Sequence, residues 1–430
     1  MHFMGLYQVF FPLLVFIGWF PSNAQDLDYA HQVVRYLSSQ ELKGRGYVGN
    51  ADKLAANYIA REFKKLGVQP IDSSYLQHFK FSVNTLPGDL MLKINGKLLV
   101  PGEDYLVEPG CPSGSGVSET VQIPFYDLLD QLTWAEYVLE AQDRFLVIEE
   151  LLASPLEWEE KETINNALNF LKYHPQGDWK GVLILTDQKL NWFGSTQQFN
   201  RPTFIVRRSS IEDSVKTIEW TIESLFKPQY QSQNVVGMIE GINKDSLVVI
   251  TAHYDHLGMM GNRVYFPGAN DNASGVAMML NLAQHYSGEK PPYSIIFMAF
   301  GGEELGLIGS RYFVDNPLFS LEQIKFLLNF DLAGTGDEGI QVVNGSVHLK
   351  EFELLLTIND EMALLPQVKI RGEACNSDHC YFHKKGVPCF FMYTLGGIQA
   401  YHDIYDRADT LPLTEFEDYF NLMVAFIGQL

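Results

Sequence analysis

Two histidines and four carboxylates in the second half of the chain follow closely on short apolar runs. His253 and Asp255 come after residues 247–252, in the run Thr-Ala-His-Tyr-Asp-His-Leu-Gly. Glu303 and Glu304 come after residues 294–300, in Phe-Gly-Gly-Glu-Glu-Leu-Gly. Asp331 directly follows residues 324–330, and His402 follows residues 388–393 by a short loop. One more carboxylate, Asp271, sits in Gly-Ala-Asn-Asp-Asn-Ala-Ser-Gly, just before a helical pattern. Imidazoles and carboxylates crowded into one crevice need a counter-charge, or most of them must neutralise. Mixed His and carboxylate donors suit Zn²⁺. Five donors, His253, Asp271, Glu304, Asp331 and His402, are too many for one tetrahedral zinc. They suit two zinc ions per chain sharing a bridging carboxylate and holding a water between them. Taken singly, Asp271 reads as a helix cap and Glu303-Glu304 as a helix start favoured by the dipole. Their joint placement after successive strands is the specific signal. His379 and His383 read as ordinary surface or loop histidines.

The elements that must hold these residues alternate strand and helix from about Asn234 onward. That pattern predicts an α/β fold with a mixed, mostly parallel central sheet and helices on both faces. In such sheets, sites form at the carboxyl ends of the strands. Helical patterns are expected over residues 273–286, 307–314, 349–363 and 413–428. The last of these has Thr414 placed as N-cap and Glu417 at the capping-box position. Residues 25–78 read as a helical part of the same domain, with Leu54, Tyr58, Ile59, Phe63 and Leu66 at helical spacing. Residues 79–230 read as an inserted, mainly β accessory domain. Its apolar runs at 90–94, 145–148, 181–185 and 203–206 are broken by Gly and Pro, with a helical stretch at 159–173. It holds no cluster of ligand or nucleophile types. Residues 231–430 then form the domain that carries the metal site.

Composition narrows the function classes. The 430 residues carry 31 Lys and Arg against 52 Asp and Glu, a net charge of −21. This balance argues against nucleic-acid binding, which needs basic patches. Residues 1–24 read as a signal peptide: an apolar run from Phe3 to Phe20, then Ser22-Asn23-Ala24 as a small-x-small cleavage site. The mature protein is therefore expected to be secreted or periplasmic, with no membrane span. The four cysteines include no C-x-x-C pair. Cys375 and Cys380 are spaced for a short disulfide in an oxidising compartment, and all four also fit as small buried residues.

The ordered motifs His253-Tyr-Asp255, Gly268-Ala-Asn-Asp271-Asn-Ala-Ser-Gly275, Glu303-Glu304-Leu-Gly, Asn329-Phe-Asp331, Ser377-Asp378-His379 and Tyr401-His402 carry a resemblance. They resemble the co-catalytic di-zinc exopeptidases of the bacterial leucyl aminopeptidase, aminopeptidase S and aminopeptidase Y type. Leu42-Lys-Gly-Arg-Gly46 is similar to that family's opening region, and the insert resembles its protease-associated domain in position. The resemblance implies that Asp271 bridges both zincs and that a cis peptide follows it. It assigns His253 with Glu304 to one ion and Asp331 with His402 to the other. It makes Glu303 the general base, Asp255 the carboxylate that orients His253, and Tyr401 the donor to the oxyanion. The implied activity is removal of N-terminal residues from a peptide substrate with a free N-terminus. Two rival readings are a glutaminyl cyclase-like acyltransferase using a single zinc and a non-catalytic binding protein on the same fold.

Overall fold

The computed structural model describes residues 27–151, 156–288 and 290–430. The expected signal peptide lies outside the described residues. The chain builds two eight-stranded sheets. The first has Asn243–His253 near its centre, pairing in parallel with Tyr293–Phe300 on one side and Ile324–Phe330 on the other. Cys389–Thr394 adds in parallel to Ile324–Phe330. Ile340–Val343 and Val368–Ile370 close one edge; antiparallel Leu225–Ile239 and Leu76–Thr85 close the other. The sheet is mixed with a parallel centre, as expected from the sequence.

Strand alternation explains why this sheet is covered on both faces. Val248, Ile250, Ala252, Ile295, Phe297 and Ala299 point into one core, with helices Leu27–Leu37, Ala51–Lys65, Gly275–Tyr286, Leu349–Met362 and Phe416–Gln429. Leu247, Val249, Ile296, Met298 and Phe300 point the other way, against helices Ile308–Asp315 and His379–Lys384. Helix Gly275–Tyr286 is buried almost all round, so its apolar run lacks the polar face of a surface helix. The last helix begins at Phe416, with Glu415 at the N-cap and no side-chain cap bond, so Thr414 does not cap it.

The second sheet lies between Leu76–Thr85 and Leu225–Ile239, the two paired strands that lead the chain out of the main sheet and back. Its centre is parallel, Gly114–Ile123, Phe145–Glu149, Gly181–Thr186 and Thr203–Arg207, with antiparallel strands at both ends. Helices Gln131–Glu140 and Trp158–Tyr173 cover one face around Leu146, Ile148, Val182 and Ile184. The helical share of this section therefore exceeds the sequence expectation. The opposite face packs on Met260 and Phe266 of a small hairpin in the main domain, which brings the second sheet close to the metal-ligand candidates. Cys375 and Cys380 form a disulfide, while Cys111 and Cys389 are free and buried.

Candidate metal centre

The main sheet delivers the candidate residues to one place. His253 ends its strand, Asp331 follows its strand directly, and Glu303 and Glu304 begin the turn after Phe300. Asp271 sits in an irregular turn, Ala269–Ser274, ahead of Gly275–Tyr286. The peptide from Asp271 to Asn272 is cis, as the resemblance implied.

The two oxygens of Asp271 face different histidines. Oδ1 lies 3.3 Å from His253 Nε2, and Oδ2 lies 3.1 Å from His402 Nε2. His253 Nε2 is also 3.4 Å from Asp331 Oδ1, and His402 Nε2 is 3.2 Å from Glu304 Oε2. Besides Asp271, His253 makes its close approach to Asp331 and His402 to Glu304. His253, Asp271 and Glu304 also gather within 4.8 Å of one another, as do His253, Glu303 and Asp331. The strands ending at His253 and at Asp331 are adjacent and parallel, whereas His402 arrives on a loop from the side of Glu304. Asp271 belongs to both groups.

These separations bear on whether zinc fits. Zinc bonds of about 2.0–2.1 Å to nitrogen and oxygen set tetrahedral ligand atoms about 3.3 Å apart. Charge-assisted hydrogen bonds are shorter, about 2.7–2.9 Å. The four His–carboxylate distances, 3.1 to 3.4 Å, match the first spacing. Asp331 Oδ1 is buried with no hydrogen-bond partner, a state that costs free energy unless a cation satisfies it. The donor set thus fits a pair of divalent cations.

The charges tell the same story. Burial pushes Asp271 up, but bonds from His253 and His402 outweigh it and hold it well below the carboxylate range. Burial, with Asp378, Glu304 and Asp331 nearby, drives Glu303 well above its ordinary value despite His253. Burial also raises Asp331. A divalent cation among these groups would relieve the crowding.

Several neighbours act on these residues. Asp255 Oδ1 stands 3.9 Å from His253 Nδ1, beyond hydrogen-bond range, so the carboxylate does not hold the ring as expected. The Asp255 carbonyl, at 3.2 Å, is the nearer acceptor. The carboxylate instead accepts from the Glu303 backbone N–H at 3.1 Å and from the Tyr47 hydroxyl at 2.9 Å. Tyr401 is 42% exposed and stacks on the His402 ring, with centroids 4.0 Å apart. His379 is fully buried against Phe391 with Nε2 on the Ala374 carbonyl, so it is a core histidine and not a surface one. His383 pairs with Glu373 at 3.4 Å and stays out of the cluster.

Four contributors were not singled out from the sequence. His256 is fully buried, with Nδ1 2.6 Å from Glu304 Oε1, a hydrogen bond that orients the carboxylate. Its signal was its place three residues after His253. Arg45 is fully buried and directs all its N–H groups at backbone carbonyls: Leu37, Tyr254, Pro267, Gly268 and Asp271. Asp406 accepts from the backbone N–H groups of Asn270 and Asp271 at 2.8 and 2.9 Å. Gly268 adopts φ +59°, and a Cβ there would lie 2.2 Å from the Asp271 carbonyl oxygen, so this turn requires glycine. After His256, Arg45 and Asp406, the fourth contributor is Lys189, in the second sheet's section, whose Nζ reaches the loop that carries His402. A cleft of about 580 Å³ opens beside Glu304 and is walled by Trp192, Phe193, Phe199 and Tyr173 of that section.

Comparison with known proteins relates the chain to peptidases. Residues 234–427 match the model of Peptidase family M28. Aminopeptidase YwaD of Bacillus subtilis (strain 168) is 29% identical over 194 residues, covering 43% of this chain and 41% of YwaD. The chain thus spans less than half the length of this curated relative in the match. Among solved structures, BSAP, a zinc aminopeptidase from Bacillus subtilis, superposes with a TM-score of 0.69 at 20% identity, over 94% of this chain and 95% of that one. An aminopeptidase from Aneurinibacillus sp. strain AM-1 gives 0.63 at 21% identity, over 94% of each chain. These likenesses extend the shared fold across both sheets. With its motifs in order and its carboxylates gathered at the strand ends, the segment 234–427 is the part of the chain that matches peptidase family M28.

Proposed function

We propose that the protein is a zinc-dependent aminopeptidase whose site binds two Zn²⁺ ions. His253, Asp271 and Asp331 hold one ion, and His402, Glu304 and Asp271 hold the other. The observation that carries this is Asp271, which offers one oxygen to each histidine at zinc-like spacing. When bound, zinc supplies Lewis acidity and lowers the pKa of a held water toward about 7.

The chain's own residues do the rest. Glu303 takes the proton of the attacking water on its carboxylate and returns it to the leaving amine. Asp255, through the Glu303 backbone N–H, fixes the turn that carries this base. The Tyr401 hydroxyl donates to the developing oxyanion. His256 holds Glu304 in the orientation its ion requires. The substrate is a peptide with a free N-terminus, reached through the cleft beside Glu304. Residues 79–230 act as an inserted unit that walls this cleft. Among the described residues, no helix is long and apolar enough to cross a membrane, and the sequence-based reading of a secreted or periplasmic protein is kept as part of this proposal.

The test is a panel of aminoacyl p-nitroanilides and dipeptides beside their N-acetylated forms, with and without zinc. Zinc-dependent release from free amines alone supports the proposal. Equal cleavage of acetylated substrates, or none of either, contradicts it.

A further inference from the structure

Most histidines that ligate a metal anchor their second ring nitrogen by a hydrogen bond. His402 departs from this. Its Nε2 faces Asp271 and Glu304, but its buried Nδ1 has no partner. Its backbone sits in the left-handed region, at φ +53°, a conformation that non-glycine residues keep only where the surroundings enforce it. The aim of the imidazole must therefore come from the turn that bears it.

That turn is held by the second sheet's section. Lys189 Nζ donates to the Gln399 carbonyl at 2.7 Å and to the Tyr401 carbonyl at 2.9 Å. It also pairs at 2.8 Å with Asp403, a nearly buried carboxylate that accepts from the Tyr405 backbone N–H. The Trp192 backbone N–H donates to the His402 carbonyl at 2.8 Å, and the Phe193 ring meets the His402 ring edge-on at 5.0 Å. Residues 189–193 thus grip 399–403 at each turn of its backbone, and Lys189 supplies three of the contacts.

We propose that Lys189 is a positioning residue for the metal centre: it holds residues 399–403 in the conformation that aims His402 at its ion. The section outside the family-matched segment is then part of the site's construction. The inference rests on the two-zinc reading above. It also predicts a specific asymmetry, because the grip touches only the His402 side. His253 is positioned by its own strand.

The test uses the full-length protein with Lys189→Met, which keeps the aliphatic stem and removes the ammonium, and Lys189→Arg, which keeps a cation. Zinc affinity is read by chelator competition, and the weakened ion is located by anomalous scattering at limiting zinc. Backbone amide exchange across residues 401–405 is followed in the zinc-free protein. Lys189→Met should lose about 10- to 100-fold in affinity for the ion beside His402, leave the ion beside His253 unchanged, and raise amide exchange in the turn. Lys189→Arg should restore most of the loss. Wild-type binding at both ions in Lys189→Met, equal weakening of both, or no recovery in Lys189→Arg would overturn the proposal. If the wild type binds no zinc, the metal reading itself fails. The amide exchange then decides the grip alone: faster exchange in Lys189→Met upholds it, and unchanged exchange refutes it.

Discussion

Replacing Arg45 by Lys tests how the first helical section governs the metal turn. The guanidinium makes five hydrogen bonds, to the carbonyls of Leu37, Tyr254, Pro267, Gly268 and Asp271, at 2.7 to 3.1 Å. Burial lowers its pKa to about 10, with Asp271 and Asp406 opposing, so it stays charged at neutral pH. A lysine offers three donors from one point, where arginine offers five in a rigid fork. At least two buried carbonyls then go unserved, at about 1–3 kcal/mol each, which totals about 2–6 kcal/mol. The assay is urea unfolding of the zinc-free protein, read at constant slope, beside a zinc titration. The expected result is a lower midpoint worth that range, with weaker zinc binding because the Asp271 turn is released. An unchanged midpoint together with wild-type zinc affinity would refute the reasoning that these bonds set the turn.

Glu303→Gln should keep both zincs and lose about 10²–10⁴ in kcat, whereas Glu304→Gln should lose one ion and recover part of its activity with added zinc; rescue of the first variant in place of the second would show the roles are exchanged. His256→Ala removes a hydrogen bond to a charged carboxylate, worth about 1.5–3 kcal/mol, and should weaken zinc on the His402–Glu304 side alone, as read by chelator competition. Gly268→Ala should destabilise the protein, because its Cβ meets the Asp271 carbonyl at 2.2 Å; an unchanged unfolding midpoint would show that the turn can shift at no cost.

What the sequence made legible follows from which interactions are local. The strands ending at His253, Phe300 and Phe330 announce themselves as short apolar runs because both faces of the sheet are covered. The motif residues follow those runs directly. The partition of the ligands proposed above was not legible, because it rests on strand order: Ile324–Phe330 lies beside Asn243–His253, and nothing in the spacing states this. Arg45 and Lys189 escaped for a related reason. Each acts across more than two hundred residues of chain, on backbone carbonyls that carry no residue identity. The resemblance covered Arg45 without assigning it a role. Thr414 looked like a cap because the capping box is a local pattern, yet the chain between Leu411 and Glu415 is committed elsewhere, with Leu413 N–H bonded to the Gly334 carbonyl and Glu415 N–H to the Thr335 carbonyl. His379 looked exposed because nothing in its neighbours reveals the stacking ring of Phe391.

The central claim is that two zinc ions share Asp271. Anomalous difference density, collected on zinc-loaded crystals above and below the zinc edge, addresses it most directly. The account predicts two peaks about 3.5–4 Å apart, one against His253 and Asp331, the other against His402 and Glu304, with a different oxygen of Asp271 on each. A single peak, or two peaks that leave Asp271 on only one ion, would contradict it.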